Sequence, residues 1–134
     1  MFSILVVDNS RLIRERIIDH LLDLGNVEVI GDLSDGNDVI PFIFKYKPDL
    51  VILDINIPSK DGFEIVKELR TYILDTIIIV FTGFPNTQYR KYFKRLGVKY
   101  FFDKTTDFNN MISLIQILST IERKQNSVID MATN

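Results

Sequence analysis

Leu50-Val51-Ile52-Leu53-Asp54 is apolar without alternation and closes on a carboxylate. A short Val- and Ile-rich run of this kind fits a parallel strand buried on both faces, because a strand with one wet face alternates. Three further runs end in the same manner. Phe2-Ser3-Ile4-Leu5-Val6-Val7 meets Asp8 and Asn9, Ile77-Ile78-Ile79-Val80-Phe81 meets Thr82, and Val98-Lys99-Tyr100-Phe101-Phe102-Asp103 meets Lys104. In an open parallel sheet, ligands bind just beyond the carboxyl ends of the strands. Four strand ends then carry two carboxylates, an amide, a hydroxyl and an ammonium to one rim. Such a donor set suits phosphoryl chemistry on Asp54 with a hard metal ion.

Helical patterns separate the strands, which is the alternation of an α/β parallel sheet. Ser10 is placed to cap a first helix whose apolar face is Ile13, Ile17, Leu21 and Leu24, with Gly25 as its left-handed stop. Val27 to Ile30 reads as a short second strand. Asp35-Gly36-Asn37 turns into a helix carrying Val39, Ile40, Ile43 and Phe44, and Pro41 is tolerated because it falls in the first turn. After the loop Pro58-Ser59-Lys60-Asp61-Gly62 comes a helix through Phe63, Ile65, Val66 and Leu69. A basic helix spans about 86–96 and stops at Gly97, and a last helix spans about 107–122. Residues 1–122 read as one domain and 123–134 as a polar, frayed tail.

A chain of 134 residues is long enough to bury a core in one domain. The net charge of -2 argues against general nucleic-acid binding, which calls for a strongly basic chain. With no cysteine, disulfides, thiolate metal sites and thiol catalysis are excluded. Met1-Phe2-Ser3-Ile4 lacks a basic n-region, and no apolar stretch approaches the ~20 residues that span a bilayer. The expectation is a cytoplasmic protein.

The acidic-amide pair, Asp54-Ile55-Asn56-Ile57-Pro58 followed by Asp61-Gly62, the strand-end Thr82 and the strand-end Lys104 together resemble the receiver domain of bacterial response regulators. The resemblance covers residues 2 to about 122. It implies a flavodoxin-like, doubly wound, five-stranded parallel sheet of order 2-1-3-4-5. It also implies a phosphorylation-activated switch of a two-component system, in which Asp54 accepts a phosphoryl group from a histidine kinase, a phosphotransfer protein or a small phosphodonor. Asp8, Asn9, Asp54 and the main-chain carbonyl of Asn56 match the positions that hold magnesium. Thr82 matches a hydroxyl that bonds one phosphoryl oxygen, and Lys104 an ammonium that pairs with another. Phe101 matches an aromatic that swings inward on activation, following Thr82. The chain is then a phosphoacceptor with autocatalytic phosphotransfer and dephosphorylation, not an enzyme acting on other substrates. Its partners are a kinase and a downstream protein, with no direct contact to nucleic acid or membrane.

Two departures stand out. Asn9 replaces a second acid, so one negative charge at the metal is missing. At a surface-like dielectric a charge pair ~4 Å apart is worth ~4 kcal/mol before desolvation is subtracted, so magnesium binding is expected to weaken. Thr105 follows Lys104 where the family often has proline.

Each residue also has a plainer role. A strand-end Asp alone is usually a cap, a lone Thr a turn residue, and a lone Lys solvated; their convergence gives them value. Asp61 reads as a helix-start residue, Asp32, Asp35 and Asp103 as structural or solvent-facing, and His20 as a surface residue. Arg90, Lys91, Lys94, Arg95 and Lys99 make either a solvated face or a partner surface. Tyr89, Phe93 and Leu96 on that helix read as core. On the last helix, Phe108, Met111, Ile112, Ile115 and Leu118 can face the core. Leu114, Ile117 and Ile121 extend the arc beyond the ~100° that a one-sided helix needs. That excess fits a homodimer or partner face formed with the fourth helix and fifth strand. Two other functions compete: a receiver-like binding module that is never phosphorylated, favoured by Asn9, and a phosphohydrolase resembling the haloacid dehalogenases. The latter needs a general acid two residues after the nucleophile, where this chain has Asn56.

Overall fold

A computed structural model describes residues 1–133, with side chains described through Ile121. Strands and helices alternate: β1 (Phe2–Val7), α1 (Arg11–Leu22), β2 (Val27–Leu33), a 3-10 turn (Gly36–Asp38) running into α2 (Val39–Tyr46), β3 (Leu50–Leu53), α3 (Gly62–Leu69), β4 (Ile77–Thr82), α4 (Thr87–Arg95), β5 (Tyr100–Asp103) and α5 (Phe108–Thr133). The five strands are parallel in the order β2-β1-β3-β4-β5, the doubly wound architecture that the receiver resemblance implies.

Strand periodicity divides the core in two. Ile4, Val6, Leu50, Ile52, Ile79 and Phe81 face α1 and α5, meeting Ile17, Leu21, Met111 and Ile115. Leu5, Val7, Val51, Leu53, Ile78 and Val80 face α2, α3 and α4, meeting Ile43, Ile65, Val66 and Phe93. Both faces of β1, β3 and β4 are therefore covered, which accounts for their unbroken apolar runs. The edge strands differ from that expectation. β2 runs to Leu33, three residues past Ile30, and is mostly half-buried; β5 is half-buried throughout. An edge strand has one open flank, so its side chains lose cover even where helices lie above and below.

Helix termini follow local chemistry. The Ser10 hydroxyl accepts from the Ile13 amide at 3.4 Å, and the Asp61 carboxylate from the Glu64 amide at 2.9 Å. Gly62 starts α3 hard against the end of β3: a Cβ there would lie 2.8 Å from Ile55 Cα and 2.9 Å from the Asp54 carbonyl oxygen. α5 continues through Thr133, past the point near Glu122 where a frayed tail is expected. Residues 123–133 contain neither Gly nor Pro, and extending an existing helix is far easier than starting one. Asn134, and the side chains of the tail, lie outside the described residues. No helix among those described is long and apolar enough to cross a membrane.

Candidate phosphoryl-acceptor site

Strand register assembles the site. Val7 pairs with Leu53, Leu53 with Val80, and Thr82 with Asp103, so Asp8, Asp54, Thr82 and Lys104 finish at one rim. Backbone bonds hold these ends: the Asp54 amide donates to the Val7 carbonyl at 3.0 Å, and the Lys104 amide to the Thr82 carbonyl at 2.9 Å. Asp8, Asp54 and Thr82 are buried, at 1 %, 4 % and 0 % exposure. The Lys104 ammonium bridges the two acids, 2.6 Å from Asp8 Oδ2 and 3.0 Å from Asp54 Oδ2. The Thr82 hydroxyl oxygen accepts from the Phe84 amide at 3.1 Å, which leaves its proton available to a third group.

Burial pushes the Asp54 carboxyl above the usual aspartate range. The Lys104 ammonium opposes that rise and the Asp8 carboxylate adds to it. A more basic carboxylate, once ionised, is a better nucleophile toward phosphorus. Two buried acids share one ammonium, so the rim keeps a surplus negative charge.

That surplus fits a hard cation. Asp8 Oδ2 is buried and, despite its closeness to Lys104, makes no properly angled hydrogen bond. Among the described residues the Asn56 carbonyl accepts no hydrogen bond either. Two carboxylates and a carbonyl, with water completing the shell, suit magnesium, which retains several waters. Among the described residues no three acidic or imidazole groups cluster to form a closed cage. The residues present fit an open magnesium site.

The other expected residues fall at varying distances from this centre. Asn9 is exposed beside Asp8, and its side chain makes no hydrogen bond among the described residues. Asn56 is exposed, its amide donating to Asp54 Oδ1 at 3.4 Å. With Asp61, Phe63, Phe84, Asn86 and Tyr89 it lines a cleft of about 700 Å³ flanking the rim. Phe101 is half-buried, and the Arg90 guanidinium stacks 4.6 Å from its ring centre while donating to its carbonyl oxygen at 3.2 Å. His20 is exposed and packs edge-on against Phe108. Asp32, Asp35 and Asp103 each accept hydrogen bonds that brace loops or helices. Phe93 is fully buried, Tyr89 and Leu96 are half-buried, and Ile117 and Ile121 stay 56 % and 47 % exposed.

Sequence reasoning missed Arg14. Its guanidinium reaches over the amino end of α1 to the Asp8 carbonyl oxygen and, at 3.3 Å, to Asp32. The available signal was position: Arg14 lies one turn beyond the Ser10 cap, on the side of α1 that faces the rim. It also missed the contacts between the turn at Asp35-Gly36 and the loop Pro58-Ser59-Lys60, which pair residues over twenty positions apart.

Residues 4–116 match the family model described as response regulator receiver domain. The chain belongs to that family, the phosphorylation-driven signalling module of two-component systems. It is 31% identical over 97 residues to a protein-glutamate methylesterase/protein-glutamine glutaminase of Syntrophus aciditrophicus, covering 72% of this chain and 27% of that protein. The corresponding protein of Clostridium acetobutylicum is 39% identical over 81 residues, covering 60% of this chain and 24% of the relative. The chain thus spans about a quarter of the length of these relatives. In fold it matches a LuxR-family DNA-binding response regulator from Staphylococcus aureus, with a TM-score of 0.81 at 24% identity, over 89% of this chain and 99% of that one.

Proposed function

We propose that this receiver domain is a phosphorylation-driven interaction switch with Asp54 as phosphoacceptor. The observation that carries the reading is the buried rim where one ammonium, Lys104, bridges Asp8 and Asp54 beside the free hydroxyl proton of Thr82. An Asp54 carboxylate oxygen attacks phosphorus, forming an acyl phosphate. The bond from phosphorus to the donor breaks, and its electron pair leaves with the donor imidazole or carboxylate. Lys104 transfers its pairing to a phosphoryl oxygen, and Thr82 donates to another. Asp8, Asn9, Asp54 and the Asn56 carbonyl would hold magnesium. When bound, the ion neutralises charge that would otherwise keep two anions apart.

Output follows from the same geometry. Thr82 moving toward the phosphoryl group vacates space beside β4, and Phe101 turns into it, altering the surface of α4, β5 and α5. A histidine kinase or phosphotransfer protein supplies the signal, and a downstream protein or a second copy of the chain reads it there. The domain works as a cytoplasmic phosphoacceptor and catalyses nothing beyond its own phosphorylation and dephosphorylation.

Incubation with acetyl phosphate and magnesium, followed by intact mass, tests this. One added phosphoryl group is expected, lost on chelation of magnesium before the reaction and absent in Asp54→Ala. Exposed Asn9 favours a second reading, a binding module that is never phosphorylated. A wild type that remains unlabelled by every donor, and unresponsive to beryllofluoride, would establish that reading instead.

A further inference from the structure

The loop from Asp54 to Asp61 is held by a clamp outside the site. Gly36 in the turn after β2 donates from its amide to the Pro58 carbonyl oxygen at 3.0 Å. It approaches so closely that a Cβ there would lie 1.7 Å from the Lys60 carbonyl oxygen. Beside it, the Ser59 hydroxyl donates to Asp35 Oδ2 at 2.9 Å, while Asp35 Oδ1 accepts from the Asn37 amide at 2.8 Å. One carboxylate therefore secures both the start of the helical turn and the loop across from it.

Ser59 makes this bond from a φ of +72°, a region that residues bearing a Cβ rarely occupy. For a turn alone, glycine would serve better. What serine has there that glycine lacks is the hydroxyl bond to Asp35. Three positions earlier lies Asn56, whose carbonyl accepts no protein hydrogen bond among the described residues, and Ile55 and Ile57 are buried on either side of it. The chain at 55–57 is thus held by the core, by the Ile57 and Gly62 amides donating to the Ile55 carbonyl at 3.2 and 2.9 Å, and, beyond Pro58, by the Ser59–Asp35 clamp.

We infer that Ser59 and Asp35 are positioning residues that hold the Asn56 carbonyl toward the metal shell of Asp8 and Asp54. The inference rests on the magnesium site proposed above. In a shell short of one carboxylate because of Asn9, the placement of each remaining oxygen weighs more. Outer partners of this kind typically govern metal affinity by 10- to 100-fold.

The test is Ser59→Gly, which relieves the backbone and removes the hydroxyl together. Magnesium affinity by calorimetry, amide resonances of residues 55–57, and melting temperature without metal are measured on wild type and variant. The expected result is an affinity about tenfold weaker, shifted amides at 55–57, and a melting temperature unchanged or raised. Asp35→Ala in the Ser59→Gly background should add little to the affinity loss, because the two residues act as one unit. Wild-type affinity in Ser59→Gly, or a loss accompanied by a lower melting temperature, overturns the inference in favour of a plain loop-stabilising role. A wild type that binds no magnesium overturns both the clamp and the metal site, whereas equal binding by the two proteins overturns the clamp alone.

Discussion

Burial raises the proton affinity of the Asp54 carboxyl, the Lys104 ammonium opposes that rise and the neighbouring Asp8 carboxylate adds to it, so ionising Asp54 comes at a cost to the native state. The sign of the pH effect follows. Below the ordinary aspartate range the group is protonated, folded or unfolded, and costs nothing. As pH rises through its elevated folded value, the native state must give up a proton it holds more tightly than the unfolded chain does, and stability falls. Asp54→Asn should therefore be more stable than wild type at neutral pH. That gain should vanish in acid, as followed by thermal melts without metal across pH. Asn9→Asp works the other way. A third carboxylate should tighten magnesium several-fold and lower the melting temperature of the metal-free protein, because like charges then crowd the rim. A magnesium titration in which Asn9→Asp binds no better than wild type would take position 9 out of the metal shell.

At the scale of elements, β1, β3 and β4 were legible because both faces of each are covered and the sequence shows unbroken apolar runs. The edge strands were placed but misjudged in length or cover, since their open flanks weaken the signal that burial imposes. The rim residues could be read because each sits at a strand end. Arg14 and the Ser59–Asp35 bond could not, because their meaning lies in contacts across the chain that no local pattern encodes. Gly62 offers a test of how tightly α3 abuts β3. Gly62→Ala must displace Ile55 and the Asp54 carbonyl, and a loss of roughly 1–3 kcal/mol in denaturant melts is expected. On α5, Ile117 and Ile121 project into solvent while Met111 and Ile115 fill the core. If that face is an association surface, sedimentation should show wild type assembling with beryllofluoride and Ile117→Asp remaining monomeric. A wild type that is monomeric under both conditions would leave the two isoleucines as mere surface.

Across the whole molecule, charge is unevenly spread. Residues 1–44 hold eight acids against three bases, and residues 76–106 hold one acid against six bases. Sheet order puts β2 and β5 at opposite edges, so the domain is negative along one edge and positive along the other despite a net charge of only -2. Such a field orients a charged partner before contact and fades as salt is added. The parallel connectivity has a further effect, on the life history of the chain. No strand pairs with another through a tight turn; Ile4, for instance, must find Leu50. Pairings so distant in sequence are slow to form, so refolding in milliseconds to seconds is expected by stopped flow. Asp8, Asp54, Thr82 and Lys104 come from four different strand ends, and no fragment that lacks β1 or stops short of the end of β5 holds all four. On the proposed function, a nascent or half-folded copy that has not yet placed β5 therefore has no complete acceptor site. On that reading its failure is silence rather than a false alarm.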